Sequence, residues 1–74
     1  MKVGKIYYYV EAPDDFHIYK PVKIEKNKNL LCLHWYNEVL DRWDTSEEDY
    51  IYDLEDYEND PEIKSERVLK LLLL

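Results

Sequence analysis

The sequence predicts an α+β fold, in which a small antiparallel β-sheet of three to four strands is followed by one or two short helices in the C-terminal half. Two observations lead to this prediction. The first 37 residues contain three runs of β-branched and aromatic residues separated by turn-forming residues. Residues 45–74 contain two patterns that are typical of helix starts. A small SH3-like or OB-like β-barrel is the alternative that the same periodicity allows.

The first predicted strand spans residues 5–11 and is rich in residues that favour strands. Because side chains alternate along a strand, one face would carry Ile6, Tyr8 and Val10, and the other would carry Tyr7 and Tyr9. The sequence Pro13-Asp14-Asp15 then predicts a turn, since proline and aspartate favour turn conformations.

The second predicted strand spans residues 17–25 and places Ile18, Val22 and Ile24 on one face. Pro21 lies within it and has no backbone N–H to donate to a neighbouring strand. We therefore expect this strand to lie at an edge of the sheet, or to be broken at the proline.

The third predicted strand spans residues 30–36 and follows a turn at Asn27-Lys28-Asn29. Both of its faces are fairly apolar, so we expect it to be the central strand. Its alternating sets are Leu31, Leu33 and Trp35 against Leu30, Cys32, His34 and Tyr36. Three strands joined by short turns predict an antiparallel meander, and a fourth strand could begin around Arg42-Trp43.

Residues 45–58 carry two conflicting patterns. Thr45 and Glu48 have the spacing of a helix capping box, and Tyr50, Ile51, Leu54 and Tyr57 would share one face of the helix that follows. We favour this helix. However, Tyr50, Tyr52 and Leu54 also alternate as in a strand, and periodicity leaves both possibilities open.

The C-terminal residues predict a second, short helix. Asn59-Asp60-Pro61 is a break between elements, and Ser65-Glu66 can cap a helix that follows it. Its inward side chains would be Val68, Leu69 and Leu72. Leu71, Leu73 and Leu74 would either pack or form an exposed apolar end.

The length and composition indicate one small domain, residues 1–74, expected in the cytoplasm. The chain has a single cysteine, Cys32, so no intramolecular disulfide can form, whereas small secreted domains usually contain several. Lysines stand where a signal peptide would have its apolar stretch, and the C-terminal apolar run is too short to cross a bilayer. We expect no membrane association.

Charge is distributed very unevenly along the chain. Residues 1–37 contain six lysines and four acids, a net charge of +2, whereas residues 38–74 contain four bases and thirteen acids, a net charge of −9. The segment 44–62, called here the acidic strip, holds ten acids and no base. It would repel phosphates, so we expect no direct binding to nucleic acid.

The acidic strip instead suggests a nucleic-acid mimic. As one continuous helix it would be about 28 Å long, with roughly one carboxylate per 2.8 Å, against about one charge per 1.7 Å in duplex DNA. Interleaved tyrosines could contact arginine or aromatic side chains. The predicted partner-binding residues are Glu47, Glu48, Asp49, Tyr50, Tyr52, Asp53, Glu55, Asp56, Tyr57 and Glu58.

In size and in its acidic strip the chain resembles the small acidic proteins that phages use against host nucleases and against restriction or CRISPR systems. That resemblance implies a viral anti-defence inhibitor that occupies the basic, nucleic-acid-binding groove of another protein without catalysis. The opposing interpretation is that the acids only keep the domain in solution.

Two further hypotheses use other residues. The first is a small protein-interaction module or homodimer that binds through an aromatic sheet face of Tyr7, Tyr9, Trp35 and Tyr36, or through the C-terminal leucines. The second is an enzyme or zinc site built on Cys32 and His34, with His17 as a further ligand. Because no second paired ligand motif and no catalytic motif occur, we expect no enzyme, no metal and no cofactor.

Overall fold

The computed structural model describes residues 1–44 and 50–72. Of Tyr50 it describes the backbone but not the side chain. Five strands form one antiparallel sheet and a helix follows them. The elements are β1 (Tyr7–Ala12), β2 (Asp15–Glu25), β3 (Leu30–Asn37), β4 (Arg42–Trp43), β5 (Tyr50–Asp53) and α1 (Glu66–Leu72), with short 3-10 turns at Lys26–Lys28 and Leu54–Asp56.

The first three strands form the predicted antiparallel meander, and β3 is the central strand of the whole five-stranded sheet, as expected. One edge of β3 pairs with β2. Its other edge pairs with β5 along Leu30–Leu33 and with β4 at Tyr36 and Asn37. The described strands do not close on themselves, so the barrel alternative is wrong.

Pro21 marks a break in β2, but β2 is not an edge strand. It lies between β1 and β3, and its pairing with β3 shifts register between Pro21 and Lys23. A proline is tolerated there because the missing N–H falls at an irregularity of the ladder. At this shift β2 has one more residue than β3, which changes how its side chains alternate between the two faces of the sheet. Ile24 therefore shares a face with Pro21, whereas Ile18 lies on the opposite face.

The main hydrophobic cluster lies on one face of the sheet and is rich in aromatic residues, whereas Ile18 and Cys32 are buried on the other face. In the main cluster, Tyr19, Leu31 and Leu33 are fully buried, and Tyr7 and Leu54 are nearly so. Partly buried side chains surround this cluster: Met1, Tyr9, Ile24, Trp35, Tyr52 and Tyr57. Burial of this apolar area is the main source of stability for the sheet.

The helix predicted within residues 45–58 is wrong where the structure describes it, since Tyr50–Asp53 is a strand. Ile51 and Tyr52 pair with Cys32 and Leu31, and the alternation places Tyr52 on the core face and leaves Ile51 67% exposed. The pattern of this segment fits both a helix and a strand. It forms the strand, because a strand can pair with the free edge of β3. The capping residues Thr45 and Glu48 lie outside the described residues.

Asn29 fixes the segment that follows β5. Its backbone has a left-handed conformation, with φ of 50°, which asparagine tolerates better than most residues. Its carbonyl oxygen accepts a hydrogen bond from Leu54 N at 3.0 Å, and its Oδ1 accepts one from Glu55 N at 2.8 Å. The β2–β3 turn is thereby joined to the start of the second 3-10 turn.

The chain then runs along the outer edge of β1 before the helix begins. Tyr8 N donates to Pro61 O at 3.2 Å, and Ile63 N donates to Ile6 O at 2.8 Å. Tyr7 and Glu62 form an isolated antiparallel bridge between these two hydrogen bonds.

The C-terminal helix α1 confirms the prediction of a short capped helix. Ser65 Oγ accepts a 3.5 Å hydrogen bond from Val68 N, as the predicted cap requires. Leu69 and Leu72 are half-buried, but Val68 is exposed rather than inward-facing, and Leu71 is exposed as well. Leu73 and Leu74 lie outside the described residues. Within the described parts of the chain, no helix is long and apolar enough to cross a membrane.

Candidate functional site

The predicted partner-binding residues divide into two groups in the structure. Four carboxylates around the second 3-10 turn are exposed: Asp53, Glu55, Asp56 and Glu58. Tyr52 and Tyr57 are half-buried and pack on the core. The remaining members, Glu47, Glu48 and Asp49, lie outside the described residues, as does the side chain of Tyr50.

Tyr57 lies at the centre of the aromatic cluster. Its ring centroid is 5.3 Å from that of Tyr52, 5.4 Å from Tyr9, 5.7 Å from Tyr19 and 6.3 Å from Trp35. Edge-on arrangements at these distances are favourable because the positive edge of one ring meets the negative face of another. Burial, followed by the nearby Tyr52 and Tyr9, raises the pKa of the Tyr57 phenol, so it keeps its proton to higher pH than a free tyrosine does.

The turn that carries Tyr57 is held to the sheet by Asp60. The Tyr19 hydroxyl donates a 2.6 Å hydrogen bond to Asp60 Oδ2, and Asp60 N donates to Tyr57 O at 2.9 Å. Burial, and then the hydrogen bond to Asp60, raises the pKa of Tyr19 far above its usual range. Asp60 was predicted only as part of a break between elements. In the structure it holds the C-terminal part of the acidic strip to the sheet.

A pocket opens beside Tyr57 on the core face of the sheet. Its volume is about 520 Å³, within the roughly 300–1,000 Å³ of ligand pockets. Three aromatic side chains and three titratable ones line it: Tyr9, Trp35, Tyr57, Glu11, His17 and Asp44. Strands β1, β2 and β3 and the segments after β4 and β5 each contribute to this lining. We call it the aromatic–acidic pocket.

The sheet and its hydrogen bonds position the walls of this pocket. His17 lies opposite Tyr9 in the β1–β2 ladder, and its ring stands edge-on to Trp35 with centroids 5.8 Å apart. The Trp35 indole Nε1 donates to Tyr52 Oη at 2.9 Å, which fixes the indole ring. The orientation of this wall therefore depends on a residue of β5 as well as on the three central strands.

The two carboxylates of the pocket are held in place by neighbouring groups. Asp44 N donates to Trp35 O at 2.8 Å, and Asp44 Oδ1 accepts from Asn37 Nδ2 at 3.3 Å. Glu11 Oε2 lies 3.0 Å from His17 Nε2. No lysine or arginine lines the pocket in the described part of the chain, so its field favours a positively charged group.

The β1–β2 hairpin also brings together three groups that could ligate a metal. The ligand atoms of Glu11, Asp15 and His17 all lie within 4.8 Å of one another, and all three residues are exposed. Sequence reasoning missed this group because only the hairpin pairing brings Glu11 next to His17, whereas Asp15 shares a face of β2 with His17. Carboxylate and imidazole ligands suit a divalent cation, but exposed acids of this kind commonly stand together without one.

His17 is not close to the other two predicted ligands. It lies on the core face beside Trp35, whereas Cys32 and His34 lie on the opposite face of β3. Cys32 is only 4% exposed. The three residues therefore do not form a common site, and the Cys32 thiol has little access to a substrate.

The proposed aromatic sheet face is not one surface. Tyr7, Tyr9 and Trp35 lie on the core face, where Tyr7 is buried, and Tyr36 lies on the other. There Tyr36 packs edge-on to Trp43 with centroids 5.3 Å apart, and Lys20 Nζ lies 4.7 Å from the centroid of the Trp43 ring. Neighbouring residues of a strand cannot present their side chains to the same partner.

No family model matches this sequence, and neither the curated proteins nor the solved structures compared with it include a similar chain. Its function has to be inferred from the chemistry of the site.

Proposed function

We propose that this protein is a non-enzymatic acidic binding protein that occupies the basic, nucleic-acid-binding surface of another protein. The observation that supports it is the set of exposed carboxylates at Asp53, Glu55, Asp56 and Glu58. Within the described residues, none of these four forms an ion pair with a basic side chain. Their charge is therefore available to a partner.

The geometry of this charge differs from that of the continuous helix expected from the sequence. Residues 53–58 end a strand and continue through a 3-10 turn, in which the rise is about 2 Å per residue. Four carboxylates over a path on the order of 10 Å give roughly one charge per 2.5 Å, the same order as the roughly 1.7 Å per charge along duplex DNA. The mimicry proposal thus depends on residues 53–58, called here the acidic turn, rather than on a helix.

Electrostatic attraction would bring the partner to this turn. A concentrated negative surface steers a basic protein and raises its association rate, and salt weakens this effect. A partner that normally binds phosphates would present arginine and lysine side chains to the acidic turn. We infer that the protein acts as an inhibitor of such a partner, in the manner of a viral anti-defence protein.

The test is capture of proteins from a bacterial lysate with two charge-reversal variants. The test variant is Glu55→Lys, Asp56→Lys and Glu58→Lys, and the control is Asp14→Lys, Glu38→Lys and Glu66→Lys. All six residues are exposed, and both variants change the net charge by the same amount. We expect a nucleic-acid-binding protein to be retained by the wild type and the control, and to be released by duplex DNA or high salt.

Loss of that protein in the test variant alone would support the proposal. A captured partner that is indifferent to salt, to DNA and to reversal of the acidic turn would contradict it, because charge would then not drive binding.

A second candidate function, a homodimeric or protein-interaction module, is favoured by exposed apolar side chains. Val39 at the β3–β4 turn is 92% exposed, and Leu71 on α1 is 63% exposed. Leu40, next to Val39, is 54% exposed, and adjacent exposed apolar side chains of this kind can form an interaction surface. Sedimentation equilibrium distinguishes this function: a dimer that Leu71→Ser or Val39→Ser dissociates, and that the acidic-turn reversal leaves intact, would support the module.

A further inference from the structure

The aromatic–acidic pocket combines two kinds of group that recognise the same class of ligand. The rings of Tyr9, Trp35 and Tyr57 form its walls, and the carboxylates of Glu11 and Asp44 lie beside them. Aromatic faces attract cations through their quadrupole, and carboxylates attract them through charge. A pocket with both features favours an organic cation over a neutral or anionic ligand.

The arrangement of the rings produces a concave wall. Tyr9 and Tyr57 are inclined to each other by 52°, and Trp35 and Tyr57 by 67°, with centroids 5.4 and 6.3 Å apart. The rings contact one another at these distances, so a ligand meets their remaining faces and edges from the open side of the pocket. A flat cation that stacks on one ring can therefore touch the next at its edge.

A planar guanidinium fits this pocket better than a compact ammonium. Guanidinium stacks on aromatic rings and presents five N–H donors in a fixed plane, which can reach two carboxylates at once. An ammonium is more strongly hydrated and gives up more solvation on entering such a pocket.

We propose that the aromatic–acidic pocket binds the side chain of an arginine from the partner protein. The inference rests on the proposed function, since a basic nucleic-acid-binding surface supplies such arginines. The guanidinium stacks against Trp35 or Tyr57 and donates to Glu11 and Asp44. The acidic turn attracts the partner, and the pocket fixes its orientation through one residue.

The glutamate of the pocket has to change its partner when an arginine enters. Glu11 Oε2 is 3.0 Å from His17 Nε2 in the ligand-free chain. Guanidinium competes with this imidazole for the carboxylate, and Asp15, whose Oδ1 lies 3.5 Å from the same nitrogen, can keep the imidazole in place. Asp44 keeps its hydrogen bond from Asn37 and offers its remaining lone pairs.

The test uses the full chain and a blocked tripeptide, acetyl-Gly-Arg-Gly-amide, with the citrulline peptide as its neutral isostere. Binding is followed by NMR at the indole N–H of Trp35, which lies in the pocket wall. We expect saturable shifts with a dissociation constant on the order of 1 mM for the arginine peptide, and at least tenfold weaker binding of the citrulline peptide. The lysine peptide should bind more weakly than the arginine peptide.

Three variants show whether binding is specific to the pocket. Glu11→Gln and Asp44→Asn should each weaken binding of the arginine peptide about three- to tenfold, since each removes one charged acceptor. Asp14→Asn removes the same charge from an exposed turn residue outside the pocket and should leave binding unchanged. Equal affinity for the two isosteres, or an equal loss in all three variants, would overturn the inference.

The same peptide separates this inference from the proposed function. Reversal of Glu55, Asp56 and Glu58 should abolish capture of the partner, whereas the tripeptide should still bind saturably and in preference to the citrulline peptide, with an affinity lowered only by the longer-range charge. If partner capture requires the acidic turn and the peptide does not bind, the pocket inference fails and the proposed function stands. If the peptide binds the pocket and no basic partner is captured, the proposed function fails.

Discussion

The hydroxyl of Tyr19 donates a 2.6 Å hydrogen bond to the carboxylate of Asp60, which lies 41 residues further along the chain. The donor lies in the middle strand of the meander and is fully buried, and the acceptor lies two residues after the acidic turn. This contact joins the N-terminal sheet to the charged C-terminal half, and three of the following predictions depend on it.

Replacement of Tyr19 by phenylalanine should destabilise the protein by about 1–2 kcal/mol. The ring still fills the core, but Asp60 loses its donor while it remains partly buried. Urea denaturation measures the change in the free energy of unfolding. In an Asp60→Asn background the same substitution should cost less, and an equal cost in both backgrounds would show that the two residues are not coupled.

Alkaline pH should weaken the fold through the same tyrosine. The pKa of Tyr19 in the folded chain lies well above the value of about 10 expected in the unfolded chain. The unfolded chain therefore releases its proton first, and the free energy of unfolding falls as pH rises above about 10. Urea denaturation at a series of pH values should give a flatter dependence for Tyr19→Phe, and parallel curves would contradict this assignment.

Replacement of Asp60 by asparagine should leave the stability at pH 7 unchanged or slightly raised. Burial raises the pKa of the Asp60 carboxyl, and the hydrogen bond from Tyr19 offsets only part of this effect. A raised pKa means that the favourable contribution is present in acid and is lost as pH rises through the folded value. Asparagine retains an oxygen acceptor for Tyr19 without the charge.

Thermal unfolding at pH 3 and pH 7 compares the wild type with Asp60→Asn. A variant that is strongly destabilised at pH 7 but not at pH 3 would show that the ionised carboxylate favours the folded chain, which is opposite to this expectation.

Substitution of Asn29 should separate its backbone role from its side-chain role. Asn29→Gly keeps the left-handed backbone but removes the acceptor for Glu55 N, at a cost of about 0.5–1.5 kcal/mol. Asn29→Ala loses the acceptor as well and adds about 1–2 kcal/mol of backbone strain. Urea denaturation should rank the three proteins as wild type, glycine, alanine. If alanine is as stable as glycine, the strain is absent.

The meander could be predicted from local sequence because its strands are rich in β-branched and aromatic residues, and its turns contain proline, asparagine and aspartate. β3 begins at Leu30 as expected, and the predicted ends of β1 to β3 differ from the observed ones by at most two residues. Ser65 likewise predicted the start of α1. These features depend on neighbouring residues in the chain.

The errors arise where distant residues decide the structure. Tyr50 to Leu54 fit both a helix, which the sequence favoured, and a strand, and pairing with Leu30–Leu33 selects the strand. The register shift beside Pro21 reverses the predicted face of Ile18 relative to Ile24. Neither outcome can be obtained from local periodicity.

The aromatic–acidic pocket was beyond sequence reasoning for the same reason. Its lining comes from β1, β2, β3 and two segments further along the chain, and only the observed register brings Glu11 and Trp35 towards Tyr57. Tyr57 was singled out because it lies among acids. The structure adds that it packs against four other aromatic rings.

The segment 61–63 along β1 has a consequence for how copies of this protein behave in concentrated solution. An uncovered outer strand offers a row of N–H and C=O groups on which another chain can add a strand, and this is how sheets begin to aggregate. Here Tyr8 N and Ile6 O are already bonded to Pro61 and Ile63. The residues between the acidic turn and the helix thus occupy the N-terminal part of the β1 edge, where another chain could otherwise add a strand.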